Sequence, residues 1–80
     1  MDALEELGYT LKVNDISKDR HSRMYVRGDF VITITKSLLF GIVRSWVYKS
    51  AEGYGVGLSF EEIHACEIVI NTVMVKIEGE

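Results

Sequence analysis

Leu58-Ser59-Phe60-Glu61-Glu62-Ile63-His64-Ala65-Cys66-Glu67-Ile68-Val69-Ile70-Asn71-Thr72-Val73-Met74-Val75-Lys76-Ile77-Glu78-Gly79 decides the fold. Ser59 and Glu62 have capping-box spacing, with Leu58 and Ile63 placed as the hydrophobic staple. Ile63, Cys66, Ile70, Val73 and Ile77 recur at helical steps and make one apolar stripe. Lys76 in a last turn and Gly79 just past it match a helix end. The spacing predicts a long amphipathic helix. Its β-branched residues favour a strand instead, but cap, staple and stripe agree with each other and decide for helix. Ile68, Val69 and Val75 fall outside the stripe. They make the helix apolar on more than one side, as for a helix buried against a second subunit as well as its own sheet.

Working back from this segment, Tyr54, Val56 and Leu58 alternate with glycines, a loop that can add a fifth strand. Leu39 to Lys49 reads as a long strand with Phe40, Ile42, Arg44, Trp46 and Tyr48 on one face, and Gly41 marks a bend or bulge. Ser37-Leu38 is the expected turn before it. Phe30 to Lys36 is β-branched, with Phe30, Ile32 and Ile34 sharing a face. Gly28-Asp29 is a two-residue hairpin turn after a short strand from Met24 to Arg27. Asn14 to Ser22 is a polar loop, and Tyr9, Leu11 and Val13 alternate as a first strand. Asp2 and Glu5 can cap a short opening helix that Gly8 stops. The expected fold is α+β: an antiparallel four- to five-stranded meander with a short N-terminal helix and a long C-terminal helix packed on one face.

The 80 residues make a single domain, 1–80. A core of this size supplies about 3–5 kcal/mol net, yet 48% of the chain is hydrophobic. Apolar surface beyond what one core hides is commonly covered by a partner. The one cysteine excludes an internal disulfide, and the acidic start lacks the basic segment of a signal peptide. No apolar run is long enough to span a membrane. A cytoplasmic protein is expected. The net charge of −3 divides unevenly: residues 10–50 carry +5 and residues 51–80 carry −5.

The candidate chemistry is thin. His64 and Cys66 are two apart on a helix and do not face each other, and structural zinc needs four ligands. Cys66 is a small core residue on the plainer reading, and a cysteine nucleophile lacks an orienting group and an oxyanion site. No metal or other cofactor is expected. Gly53, Gly55 and Gly57 precede a helix start but match no phosphate-binding spacing, and Glu61 and Glu62 repel anions there. Tyr54 on that loop is a contact candidate. Lys18, Arg20, His21, Arg23 and Arg27, with Tyr25 interleaved, form a basic stretch suited to an acidic protein surface or to phosphates. Arg44, Trp46 and Tyr48 are residue types enriched in binding hot spots. Their plainer reading is core beneath the last helix; if that helix covers the other face, they become a binding surface.

Leu4-Glu5-Glu6-Leu7-Gly8-Tyr9, the short sheet and the late Ser59-Phe60-Glu61-Glu62-Ile63 helix start together resemble small accessory proteins of phages and mobile elements, especially of Gram-positive bacteria. The resemblance implies no catalytic residues. It implies a protein that binds a host protein, as some members bind and block defence factors including CRISPR nucleases. The apolar final helix departs from that group's pattern.

The leading expectation is a non-enzymatic protein-binding module, a phage-encoded, anti-CRISPR-like inhibitor acting by steric occlusion in the host cytoplasm. Its partner-binding residues would be Arg23, Tyr25, Arg27, Arg44, Trp46, Tyr48 and Tyr54. A second reading is a structural homo-oligomer, first of all a dimer, assembled through Ile68, Val69 and Val75. A third is a nucleic-acid-binding module using residues 18–27.

Overall fold

Two capping boxes start the helices. Asp2 Oδ1 accepts the N–H groups of Leu4 and Glu5, each at 2.9 Å, and Glu5 Oε1 accepts the Asp2 N–H at 3.0 Å. They open α1 (Ala3–Glu6), which ends where Gly8 takes φ +94°. Ser59 Oγ accepts the Glu62 N–H at 3.1 Å, and Glu62 Oε1 accepts the Ser59 N–H at 2.8 Å. They open α2 (Phe60–Thr72). Between the helices run β1 (Thr10–Ile16), β2 (Arg20–Arg27), β3 (Phe30–Leu39), β4 (Ile42–Ala51) and β5 (Tyr54–Gly55). The computed structural model describes residues 1–74.

The sheet is an antiparallel meander in the order β1-β2-β3-β4-β5. Gly28-Asp29 turns β2 into β3, as expected, with Gly28 at φ +60°. The next turn is Phe40-Gly41 and not Ser37-Leu38. Leu39 pairs with Ile42, and Phe40 and Gly41 both take positive φ, 52° and 76°. Gly41 thus serves a tight hairpin, and there is no bend within a longer strand. A two-residue turn that matches sheet twist needs positive φ at both central positions. Phe40 accepts that backbone with its ring fully exposed. The stretch from Asn14 to Ser22 is mostly strand: β1 runs to Ile16 and β2 begins at Arg20. The fifth strand that the glycine alternation allows is present as the two-residue β5.

Cross-strand partners share a sheet face, so the register sorts the side chains. Tyr25, Ile32 and Lys49 form one row of the inner face; Arg23, Ile34 and Val47 form the next. The helices pack on this side. Leu4, Tyr9, Tyr25, Ile32, Ile34, Ala65, Cys66, Val69 and Met74 make the core.

The last helix is shorter than its apolar pattern suggests, ending at Thr72. The Thr72 hydroxyl turns back to the Ile68 carbonyl at 2.6 Å, and the N–H groups of Val73 and Met74 both converge on the Val69 carbonyl. The run of β-branched residues there lowers helix propensity, and ending the helix lets Met74 enter the core. The expected helix end at Lys76 and Gly79 lies outside the described residues. The buried stripe is also rotated from the expected one. It runs through Glu62, Ala65, Cys66 and Val69, while Ile63 and Val73 are exposed. What turns the helix is Glu62, whose carboxylate is held by the sheet.

That carboxylate is nearly sealed from solvent. Lys49 Nζ donates to its two oxygens at 2.8 and 2.9 Å, and the Tyr9 hydroxyl donates to Oε2. Arg27 stands 3.5 Å away and stacks over the Tyr9 ring. Burial opposes ionisation of Glu62, but the hydrogen bonds from Lys49, Tyr9 and the Ser59 N–H outweigh it and hold the carboxyl at about 2. The stability this contributes is present above the usual value of 4.5 and is lost as pH falls from there toward about 2. Buried His21 adds an earlier loss. Burial, then the charges of Arg23 and Lys36, lower its pKa, so protons favour the unfolded chain once pH drops below 6.5. An acid titration followed by circular dichroism is expected to show declining stability from near pH 6.5 and cooperative unfolding below pH 4.5. Glu62→Gln is expected to flatten the lower limb.

Candidate functional site

With α1 and α2 on the inner side, the outer face of the sheet is left uncovered by any described residue. Val13, Met24, Thr33 and Tyr48 form one row across it. Asp15, Ser22, Thr35 and Trp46 form the next, and Arg20, Ser37 and Arg44 the one beyond. Trp46 is 48% exposed and Tyr48 54% exposed, beside exposed Ile42. The result is an aromatic flank on β4, beside a middle of Met24, Thr33 and the hydrogen-bonded hydroxyls of Ser22 and Thr35, with two arginines at one end. Neither Arg20 nor Arg44 has an ion pair among the described residues. The Tyr48 ring is laid against Gly55, where an added Cβ would come within 3.3 Å of the ring and its hydroxyl. A side chain at position 55 would require the ring to give by a few tenths of an ångström.

The expected contact residues separate into groups. Arg44, Trp46 and Tyr48 lie together on the open face. Tyr25 does not: it is fully buried, and its hydroxyl donates to Asp2 at 2.6 Å while accepting from Arg23 at 2.8 Å. Burial and the Asp2 hydrogen bond raise its pKa. Tyr25 is a core residue because strand alternation turns it inward under α1. Arg23 is also inward and engaged, 3.1 Å from Asp2 and 3.2 Å from Asn14. Arg27 remains partly exposed but donates to the Leu7 carbonyl at 2.8 Å. Tyr54 is 77% exposed, yet it pairs with Ala51 in the register of the inner face, away from Trp46. In place of these the open face gathers Val13, Met24 and Arg20. Val13 reaches it because a bulge between Leu11 and Val13 shifts the pairing of β1, and a bulge leaves no clear mark in sequence.

The residues expected at a helix-mediated interface also divide. Val69 is fully buried within the subunit, so it cannot meet another one. Ile68 is 37% exposed beside the cleft between α1 and α2. Val75 lies outside the described residues. Cys66 is buried in the core, and burial followed by the Glu62 charge pushes its thiol up to about 11, so it is not a poised nucleophile. His64 is exposed on the α1 side of the helix. Among the described residues no group of three or more His, Cys, Asp or Glu side chains converges as metal ligands would. Among them, too, no helix is long and apolar enough to cross a membrane.

Comparisons with protein-family models, with curated proteins and with solved structures found no match to this chain.

Proposed function

We propose that this chain is a non-enzymatic protein-binding module that docks a partner protein on the open face of its sheet. The observation that carries this reading is the grouping of Trp46, Tyr48 and Arg44 on a face that neither helix covers. Tryptophan, tyrosine and arginine dominate binding hot spots because they combine large apolar area with a directed polar group. The partner surface that fits is apolar where it meets Trp46 and Tyr48 and carboxylate-bearing where it meets Arg20 and Arg44. The resemblance to small phage and mobile-element proteins supports a concrete form: an anti-CRISPR-like inhibitor that covers the working surface of a host defence protein. Nucleic acid is a weaker fit. Arg23, Arg27 and Lys49 are engaged by Asp2, Leu7 and Glu62 inside the fold.

The test is affinity capture from bacterial lysate, followed by titration of whatever is retained. Trp46→Ala is expected to weaken that partner by about 2 kcal/mol, roughly 30-fold. The thermal midpoint is expected to change little, because the side chain is half exposed. Equal retention by wild type and Trp46→Ala would mean that the partner does not dock on the open face.

A further inference from the structure

The two edges of the sheet are treated differently. β1 is guarded: it carries the bulge, and exposed Lys12 and Asp15 lie along it. Bulges and charges are how edge strands avoid pairing. β4 carries one exposed charge on its free stretch, Arg44, and its pairing with β3 runs from Ile42 to Ala51 without a bulge. The two-residue β5 pairs only with Ser50 and Ala51, and the Val56 N–H reaches the Lys49 carbonyl at 2.9 Å. From Ile42 to Tyr48 that side of β4 has no backbone partner among the described residues. Leu39 and Ile42 close a two-residue hairpin, so even-numbered residues of β4 bond toward β3. The N–H and C=O groups of Val43, Ser45 and Val47 therefore point outward. Beside them lies a mostly apolar groove of about 260 Å³, bounded on the helix side by Leu58, Ile63, Cys66, Glu67 and Ile70.

We propose that the free edge of β4 pairs antiparallel with the same edge of a second copy of this chain, about a two-fold axis through Ser45, making a ten-stranded sheet. Ser45 is the midpoint of the free stretch, and that register uses all of it. On the inner face Val43 meets the partner's Val47, and Ser45 meets its own counterpart, small enough for the two helices to approach over the groove. On the outer face Arg44 lies opposite the partner's Trp46, twice, a cation–π pairing. Ile42 lies opposite the partner's Tyr48. Along the paired strands no like charges lie opposite each other, and Glu67 of each helix is the charge nearest the axis on the inner side. The strand is complementary to itself, as a two-fold interface requires.

The proposal shares Arg44, Trp46 and Tyr48 with the partner-binding reading, but its test is separate, because it reads mass and register rather than capture of another protein. Light scattering on a sizing column is expected to give twice the chain mass for wild type. Ser45→Pro is expected to give the chain mass with an unchanged circular dichroism spectrum, since the lost N–H points away from β3. A second measurement covers the case that Ser45→Pro fails to fold. In a Cys66→Ala background, Arg44→Cys mixed with Trp46→Cys is expected to form a disulfide-linked pair on mild oxidation, and neither variant alone. A wild type that runs at the chain mass at its highest soluble concentration overturns the proposal. So does a mixture that links no better than either variant by itself.

Discussion

Lys49→Ala is expected to destabilise the protein by about 3–5 kcal/mol, the cost of leaving a buried charge without its partner. The Lys49 and Glu62 side chains are only 9% and 4% exposed, so the abandoned carboxylate has little water to turn to. An 80-residue domain has roughly 4–12 kcal/mol in total, so much of the protein would unfold near body temperature. The double variant Lys49→Met/Glu62→Gln is expected to recover most of the loss. It removes both charges, while the amide oxygen in the Oε1 place still accepts from the Ser59 N–H and the amide NH2 in the Oε2 place can donate to the Tyr9 hydroxyl oxygen. Urea melts of wild type, Lys49→Met, Glu62→Gln and the double variant, alongside Lys49→Ala, check this. Additive losses in the double variant would show that the pair is not coupled.

Tyr25→Ala is expected to cost a similar amount, about 3–5 kcal/mol, by emptying the largest fully buried site in the core. Tyr25→Phe keeps the ring and is expected to lose only about 1–2 kcal/mol, for the hydroxyl between Asp2 and Arg23. The pair of variants separates a core residue from a contact residue. A contact residue would lose partner affinity with the fold intact, whereas Tyr25→Ala is expected to lose cooperative unfolding first.

Much of this architecture is written locally. Both caps, the Gly28-Asp29 turn and the alternation of Phe30, Ile32 and Ile34 depend on neighbours within four residues, and they are readable from the chain. What is not readable depends on distant pairing. Ile63, Cys66 and Ile70 define a good stripe, but the helix is rotated because Glu62 is held by Lys49, thirteen residues away, and by Tyr9 from the far end of the chain. Nothing near Glu62 distinguishes it from an ordinary capping-box carboxylate. Tyr25 is legible only as an aromatic among basic residues; its inward orientation follows from the register of three strands. The Trp46 face is legible as a stripe, and which side the helix takes decides its exposure.

Trp46 is the chain's single tryptophan, so its fluorescence reports on the open face without ambiguity. In the folded, partner-free protein held at the chain mass by Ser45→Pro, its emission is expected to be red-shifted toward that of tryptophan in water, and acrylamide is expected to quench it readily. Blue-shifted emission shielded from acrylamide, with the fold intact, would mean that this side of the sheet is already covered and would contradict the docking surface described above.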